Sequence, residues 1–575
     1  MPTGTRRRRA HPPVPARAAG PSARPRVCNG TQASVLTLAF AGVLTSLPAA
    51  VQAQLAPGTL PTGGVARNIG QALPIIGTPT RVNGVNTLVV DQKTPGATRA
   101  WIDWQTFSIA GDSRVQFLQN SAGDSIINRV TGGSGAAWKS LIEGQISAIG
   151  TVMLLNQNGI LFDRNSQVNV GTFVASTLAI NEVAGKNFLF NGVGSSTNND
   201  FQNNPALSGV ATGLGYVPEI EMRGEINAAA GGKVMVFGPR VVHAATATTR
   251  APDGQVILAA GEKVWLTESA TSTETLTNTG MRGFVVEYKA PTGVNLSEAM
   301  GSSSVSNAGS IESARGNVTL GALALNQSGR VSASSAAVFN GTVILSAAET
   351  TRDAGTNPQR LGTVTLARGS STATPLAVGD SGTLTEGTSY TPYRSGIAIT
   401  GGTLLVQGEV RAPGGAIAMV AGGDAANLAP GQTTRVFIDS GAEVSVAGNW
   451  VDLAAADRLV TLRVTSNELK DSPDQKGGIL LGKTLSVDAY KFLSDGIGGT
   501  LRGTALFGTP GDRTVTGAGT LQASVVESFF NLQPRGVERK AIAGGEITIN
   551  SRQGDVIVRD GALVDISGGG VRFAG

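Results

Sequence analysis

The sequence predicts an all-β chain folded as a right-handed parallel β-helix, and three observations carry that prediction. Short apolar or alternating runs recur through the chain, bounded by Gly or Asn: VMLL (152–155), VMVF (234–237), VILAA (256–260), VTLGALAL (318–325), TVILSA (342–347), IAMV (417–420) and EITIN (546–550). Windows with apolar residues at helical spacing are few, because the 78 glycines interrupt almost every stretch. A two-strand unit also repeats: GQISAIGTVMLL (144–155), GEINAAAGGKVMVF (224–237), GSIESARGNVTL (309–320), GEVRAPGGAIAMV (408–420), GAEVSVAGNWVDL (441–453) and GALVDISGGGVRF (561–573). Each reads as Gly, a short strand, a turn with Gly, and a second short strand.

Such a unit exposes an apolar face that it cannot bury alone, and stacking successive units makes one continuous core. A set of β-sandwiches would share the strand lengths and turns, but gives no reason for the unit to recur. Irregular spacing between copies fits a solenoid whose corners accept insertions. At roughly 20–25 residues per coil and about 4.8 Å per rung, the residues after position 53 predict a rod on the order of 100 Å long. The polar stretches 191–204, 267–280 and 467–475 read as loops leaving the coil. The last unit, GGGVRFAG, stops without a capping sequence, so the reading expects the solenoid to continue in a longer protein.

The first 53 residues read differently. Arg6 to Arg9 form a basic run, Val35 to Leu44 an apolar run, and Ala49 to Ala53 a small-residue stretch. Together they make a signal peptide with a long basic lead and cleavage between Ala53 and Gln54. The apolar run is too short to span a bilayer. Export of the Sec type is therefore expected, with the product secreted or held at a cell surface. Residues 1–53 hold seven of the 45 basic residues and no acid. The remainder carries 38 basic against 40 acidic residues, so net charge gives no case for nucleic acid as a partner. The single cysteine, Cys28, lies in the predicted signal, which excludes a disulfide scaffold downstream.

Four motifs stand in order near the start of the coil: AWIDWQTFSI (100–109), SIINRVTGG (125–133), GQISAIGTVMLLNQNGILF (144–162) and VNVGTFVASTLAI (168–180). This series resembles the secretion domain of two-partner secretion exoproteins, the filamentous haemagglutinin family, over about residues 65–290. The resemblance implies a β-helical secretion domain at 54–300 and a β-helical shaft at 301–575. It also implies an outer-membrane transporter partner whose periplasmic domains recognise the exoprotein, in a Gram-negative bacterium. Asn128, Arg129, Asn156, Asn158 and Gly159 match its motif positions. Where the family has Asn-Pro-Asn-Gly, this chain has Asn156-Gln157-Asn158-Gly159. Gln can adopt the φ that Pro would fix without enforcing it, and Asn158 and Gly159 both tolerate positive φ. Whether the asparagines are read by the transporter or hold the turn is open at the sequence level.

Chemistry is thinly supplied, and the chain is expected not to be an enzyme, with no cofactor or metal. After residue 53 one histidine remains, His243 in VVHAA, and it reads as a structural strand residue. Asp452 with Asp457, or Glu468, Asp471 and Asp474, are the carboxylates that a β-helical carbohydrate enzyme would need, at spacings that match no catalytic pattern. Asp163-Arg164-Asn165 reads as a turn. Trp101, Trp104 and Phe107, at spacing three, would suit an amphipathic helix or a carbohydrate-stacking stripe, and in a β context read as packing the cap of the first coil. Asn295, Asn317, Asn326 and Asn340 head Asn-x-Ser/Thr triplets. The family resemblance, rather than any residue, implies an adhesin-like exoprotein, with surface glycans or receptors as partners. The alternatives are a contact-dependent toxin carrier, a cytolysin, or a carbohydrate-active enzyme.

Overall fold

In the computed structural model, the described residues are 54–180, 183, 207–210, 213–268, 283–337, 339–351, 359–379, 395–423, 433–454, 459–463, 484–488 and 536–574. They form a three-sided parallel β-helix. A 12-stranded first sheet, a 10-stranded second sheet and a 14-stranded third sheet run the length of the coil. One turn passes from first to second to third sheet, as in Thr151–Leu155, Ile160–Phe162 and Gln167–Val170. Ser125 pairs in parallel with Thr151, and Thr151 with Thr172. Successive turns there take 26 residues (151 − 125) and 21 (172 − 151).

The repeating sequence unit thus covers two of the three sides, a third-sheet strand followed by a first-sheet strand. The second-sheet strand is short and escapes the pattern. VTLGALAL divides between two sheets, as Asn317–Gly321 and Ala324–Gln327. In the last two units the second strands, Trp450–Ala454 and Gly570–Ala574, pair with each other, and Glu546–Ser551 takes the place over Ala416–Ala421 in the first sheet.

Glycines recur at the corner before the first sheet because the backbones of adjacent rungs nearly touch. A Cβ on Gly232 would sit 1.8 Å from the carbonyl oxygen of Gly171, and one on Gly254 1.7 Å from that of Gly232. Connections from the second to the third sheet are short, as from Ile142 to Gln145 and from Met222 to Glu225. Long excursions, such as that between Ala260 and Ser304, leave at the other corners.

The interior is one apolar column built from alternate residues of all three sheets, including Ile126, Phe162, Val168, Val236, Leu320 and Ile399. A second core lies outside the first sheet. Trp101, Ile127, Met153, Val174, Met235 and Ile257 face outward in one register column and are nonetheless buried. The antiparallel strands Lys263–Glu268 and Phe284–Lys289 and the helix Leu296–Gly301 cover the later rungs with Val264, Tyr288 and Ala299, and Ile69, Leu178, Ile180 and Leu207 belong to the same core. Two-sided burial is why these first-sheet strands read as continuous apolar runs rather than alternating ones. The column continues as Thr319, and strands from Thr342–Ser346 onward alternate.

At the start of the coil, Val65–Ala66 and Ile75–Ile76 pair antiparallel with the first strands of two sheets. Trp101, Trp104 and Phe107 do not form a stripe. Trp104 and Phe107 meet edge to face at 5.7 Å inside the coil, while Trp101 lies on the opposite side of its sheet in the second core. The predicted loops at 191–204 and 467–475 lie outside the described residues, as does 269–280 of the third. The signal segment 1–53 and its residue Ala53 lie outside them too. No helix among the described residues is long and apolar enough to cross a membrane.

Candidate functional site at the asparagine turn

Asn156, Gln157, Asn158 and Gly159 form the tight turn between first-sheet strand Thr151–Leu155 and second-sheet strand Ile160–Phe162. The Gly159 N–H donates to the Asn156 carbonyl at 3.1 Å, closing a four-residue β-turn. Gly159 has φ +116°, and Asn158 does not share the positive φ, so only one of the two expected positions uses that freedom. Ile160 and Phe162 point into the main core, and Leu161 is buried as well.

The amides are sealed. Asn156 is 1 % exposed. Its Nδ2 donates to the Trp138 carbonyl at 2.8 Å and to Ser140 Oγ at 2.9 Å. Its Oδ1 accepts from the Asn158 backbone N–H at 3.0 Å and from Asn158 Nδ2 at 3.1 Å. Asn158 also accepts at Oδ1 from the Gly135 N–H (2.8 Å) and donates from Nδ2 to the Gly133 carbonyl (3.0 Å). The Tyr216 hydroxyl donates to the Asn158 carbonyl at 2.8 Å, and burial raises that phenol above its ordinary pKa, which keeps the proton in place.

These bonds pin one segment, residues 131–139, which connects Ser125–Val130 to Ser140–Ile142. The same segment explains the glycines of SIINRVTGG. A Cβ on Gly132 would lie 2.1 Å from the Gln105 carbonyl oxygen, and one on Gly133 2.3 Å from the Trp138 indole. Trp138 folds back over the Gly pair, and Asn156 and Asn158 hold it there from the next rung.

Asn128 and Arg129 are adjacent in the chain and face opposite ways. Asn128 is fully buried inside the coil; its Oδ1 accepts from the Trp104 indole N–H at 3.0 Å, and its Nδ2 donates to the Met153 carbonyl at 3.3 Å. Arg129 lies on the outer side. Its guanidinium makes two 2.8 Å bonds to the Asp103 carboxylate and lies 5.1 Å from the centre of the Trp101 ring. Arg67 approaches the same ring at 5.3 Å and the same carboxylate at 3.6 Å. A cleft of about 410 Å³ runs between these motifs, with Arg129, Gly133, Gln157 and Leu178 on its walls.

The sequence reading missed Trp138, Ser140 and Tyr216, the partners of the asparagines. Only the Gly-Gly pair at 132–133 signalled that something large packs against the segment. Of the carboxylate candidates, Asp457, Glu468, Asp471 and Asp474 lie outside the described residues, and Asp452 pairs in register with Arg572. Asp163 caps a turn whose Ser166 N–H donates to the Asp163 carbonyl at 2.9 Å.

The family profile described as the TPS secretion domain, for two-partner secretion, matches residues 71–385. The chain belongs to that family. It is an exoprotein of the two-partner secretion class. The heme/hemopexin-binding protein of Haemophilus influenzae strain Rd is 32 % identical over 120 residues, covering 21 % of this chain and 12 % of that protein. A second Haemophilus influenzae protein of the same name is 33 % identical over 89 residues, 16 % of this chain and 9 % of its own length. The matched region therefore spans about an eighth or less of those relatives. The crystal structure of the HMW1 secretion domain from Haemophilus influenzae matches with a TM-score of 0.46 and 20 % identity, over 68 % of this chain and 87 % of that one.

Within this secretion-class chain the four Asn-x-Ser/Thr triplets after residue 53 separate by burial. Asn317 and Asn340 are 1 % and 4 % exposed, which places their side chains beyond reach of a modifying enzyme on the folded coil. Asn326 is exposed on the outer side of the second sheet, and Asn295 caps the helix Leu296–Gly301 by accepting from the Glu298 N–H.

Proposed function

We propose that the chain is an adhesin-like exoprotein. Its N-terminal coils direct passage through a dedicated outer-membrane transporter with periplasmic recognition domains, after Sec-dependent entry into the periplasm. The observation that carries this reading is the family match across residues 71–385, which includes the asparagine turn and the segment it pins. Surface display and engagement of glycans or receptors complete the proposal. The outward positions of the third sheet are mostly polar, as at Gln167, Asn169, Glu225 and Arg250, which supports it as the side a large ligand can approach. A catalytic role has less support. His243 is sealed in the core, and exposed Asp452 pairs in register with Arg572. The haem or hemopexin binding in the relatives' names rests on matches too short to bring it here, and a buried His243 offers haem iron no ligand.

Deleting the gene for the neighbouring outer-membrane transporter tests the export step. The full chain should then be lost from the medium and cell surface and retained or degraded in the periplasm. Unchanged secretion would overturn the proposal.

A further inference from the structure

Inside the coil, three polar side chains occupy one register column on successive rungs of the second sheet: His243, Asn307 and Gln327. All three, and the neighbouring Thr249, are fully buried. Their hydrogen bonds run in one direction, and the far end sets that direction. Gln327 Nε2 donates to the carbonyls of Gly329 (3.0 Å) and Ser371 (3.1 Å), leaving its Oε1 to accept from Asn307 Nδ2 at 2.6 Å. Asn307 Oδ1 is then an acceptor, taking the Gly309 N–H at 3.2 Å and His243 Nδ1 at 2.7 Å. The imidazole must therefore carry its proton on Nδ1. Its Nε2 lone pair, 3.1 Å from Thr249 Oγ1, accepts from that hydroxyl.

The place of this chain in the fold gives it a purpose. His243 and Asn307 are 64 residues apart in sequence, and strands Lys263–Glu268 and Phe284–Lys289 and helix Leu296–Gly301, which cover part of the second core, lie between them. Their bond joins the rung before that excursion to the rung after it. We propose that His243 is an acid-sensitive clasp, closed by the neutral Nδ1–H imidazole and opened when Nε2 takes a proton.

Protonation places a charge in the interior and makes the Thr249 hydroxyl turn from donating to Nε2 to accepting from it, while burial outweighs the bond to Asn307, which favours the charged form. Among the described residues no counter-ion stands ready. The charged residues of the packed strands, Glu219, Glu221, Glu225, Arg240, Arg250 and Glu312, occupy outward positions, where Arg240 lies 3.8 Å from Glu219 and Arg250 4.0 Å from Glu225. The partners reaching the imidazole are Thr249 and Asn307, neither of which can neutralise it. Burial holds His243 at a pKa of about 4, so the closed clasp resists protonation until the rung itself opens.

Two measurements on the full chain test this. Nitrogen-15 and carbon-13 histidine NMR, with the His243 signal assigned by its loss in His243→Gln, should show the Nδ1–H tautomer and no titration between pH 7 and 5. An Nε2–H tautomer, or a transition near the ordinary histidine value, overturns the proposal. Hydrogen exchange, corrected for intrinsic rates, should show opening of Arg240–His243 and Ser304–Asn307 growing up to tenfold per pH unit below about 6.5. Ser125–Val130 and Thr151–Leu155 should stay protected over the same range. Uniform loss of protection along the coil overturns it, as does an unchanged local pH response in a folded His243→Gln variant. If that variant does not fold, the His243 signal is assigned as the one that persists when His11, the other histidine of the full chain, is replaced in His11→Gln, and the tautomer and titration then decide.

Discussion

Asn156 and Asn158 are joined twice: the Oδ1 of Asn156 accepts both the backbone N–H and the side-chain Nδ2 of Asn158, at 3.0 and 3.1 Å. With the Nδ2 bonds from Asn156 to Trp138 and Ser140, this one amide organises the turn and holds the preceding rung's excursion. Asn156→Ala removes all four bonds and leaves buried groups unpaired, which costs on the order of 1–3 kcal/mol for each group left without a partner. Urea unfolding of the exported protein should show a loss of about 3 kcal/mol or more with an unchanged slope. A midpoint within error of wild type would mean that the amide does not hold the turn.

Gln157→Pro should act in the opposite direction. The hydrogen bonds of the turn run to Asn156 and from Asn158 and Gly159, so a ring at the second position removes none of them. Proline there restricts the unfolded chain and should add about 0.4–1 kcal/mol to stability. Secretion yield should be equal or higher. A destabilised proline variant would show that the turn differs from the one described.

These two variants mark how far the sequence was readable. The NQNG turn, the inward Ile160 and Phe162, the parallel coil and the two-strand unit all follow from local patterns of Gly, Asn and alternating apolar residues. The second-sheet strands were harder, because three or four residues such as Ile160–Phe162 carry too little periodicity to stand apart from a turn. Contacts between rungs were not readable at all. Trp138 and Tyr216 reach Asn156 and Asn158 only because the coil brings residues 18 and 58 positions apart side by side. The second core was visible indirectly, as first-sheet strands too apolar to have a wet face, but nothing local named the segment that covers them.

Arg129→Lys tests the outer side of the same motif. Arginine bonds both Asp103 oxygens and lies against Trp101, and an ammonium cannot keep both geometries. The expected cost is about 1–2 kcal/mol, with Trp101 fluorescence shifting to the red as the ring gains water. Arg129→Lys with wild-type stability and emission would reduce this pair to a surface contact of little weight.

Gly254→Ala tests why glycine recurs at the corner. The new Cβ would lie 1.7 Å from the Gly232 carbonyl oxygen, a backbone atom that can move only if the two rungs separate. The expected loss is at least the 1–3 kcal/mol of ordinary overpacking, with exchange protection falling in Lys233–Gly238 and Gln255–Ala260. Gly293→Ala is the control for strain without a clash, since its φ is +78° and nothing lies within 4 Å of the added carbon. It should cost only about 1 kcal/mol. Equal effects in the two variants would refute the close-approach account.

Stability should also depend on pH in a window set by His243. Its folded pKa, about 4, lies below the ordinary 6.5, so between those values the unfolded chain binds the proton and the folded one does not. Unfolding takes up a proton there, and the contribution is fully present above pH 6.5 and lost as pH falls to about 4. Two and a half units correspond to roughly 3 kcal/mol. Carboxylates add to acid denaturation below this range: Asp439 is held low chiefly by the bond from Gln407, together with the Ser440 N–H and Arg368, and its contribution fades only as pH falls through its lowered value. Urea titrations at pH 7.5, 6, 5 and 4.5 should therefore show most of the early loss in wild type and little of it in His243→Gln. Equal losses in the two proteins over pH 6.5–4.5 would remove His243 from the account and assign the acid response to the surface carboxylates.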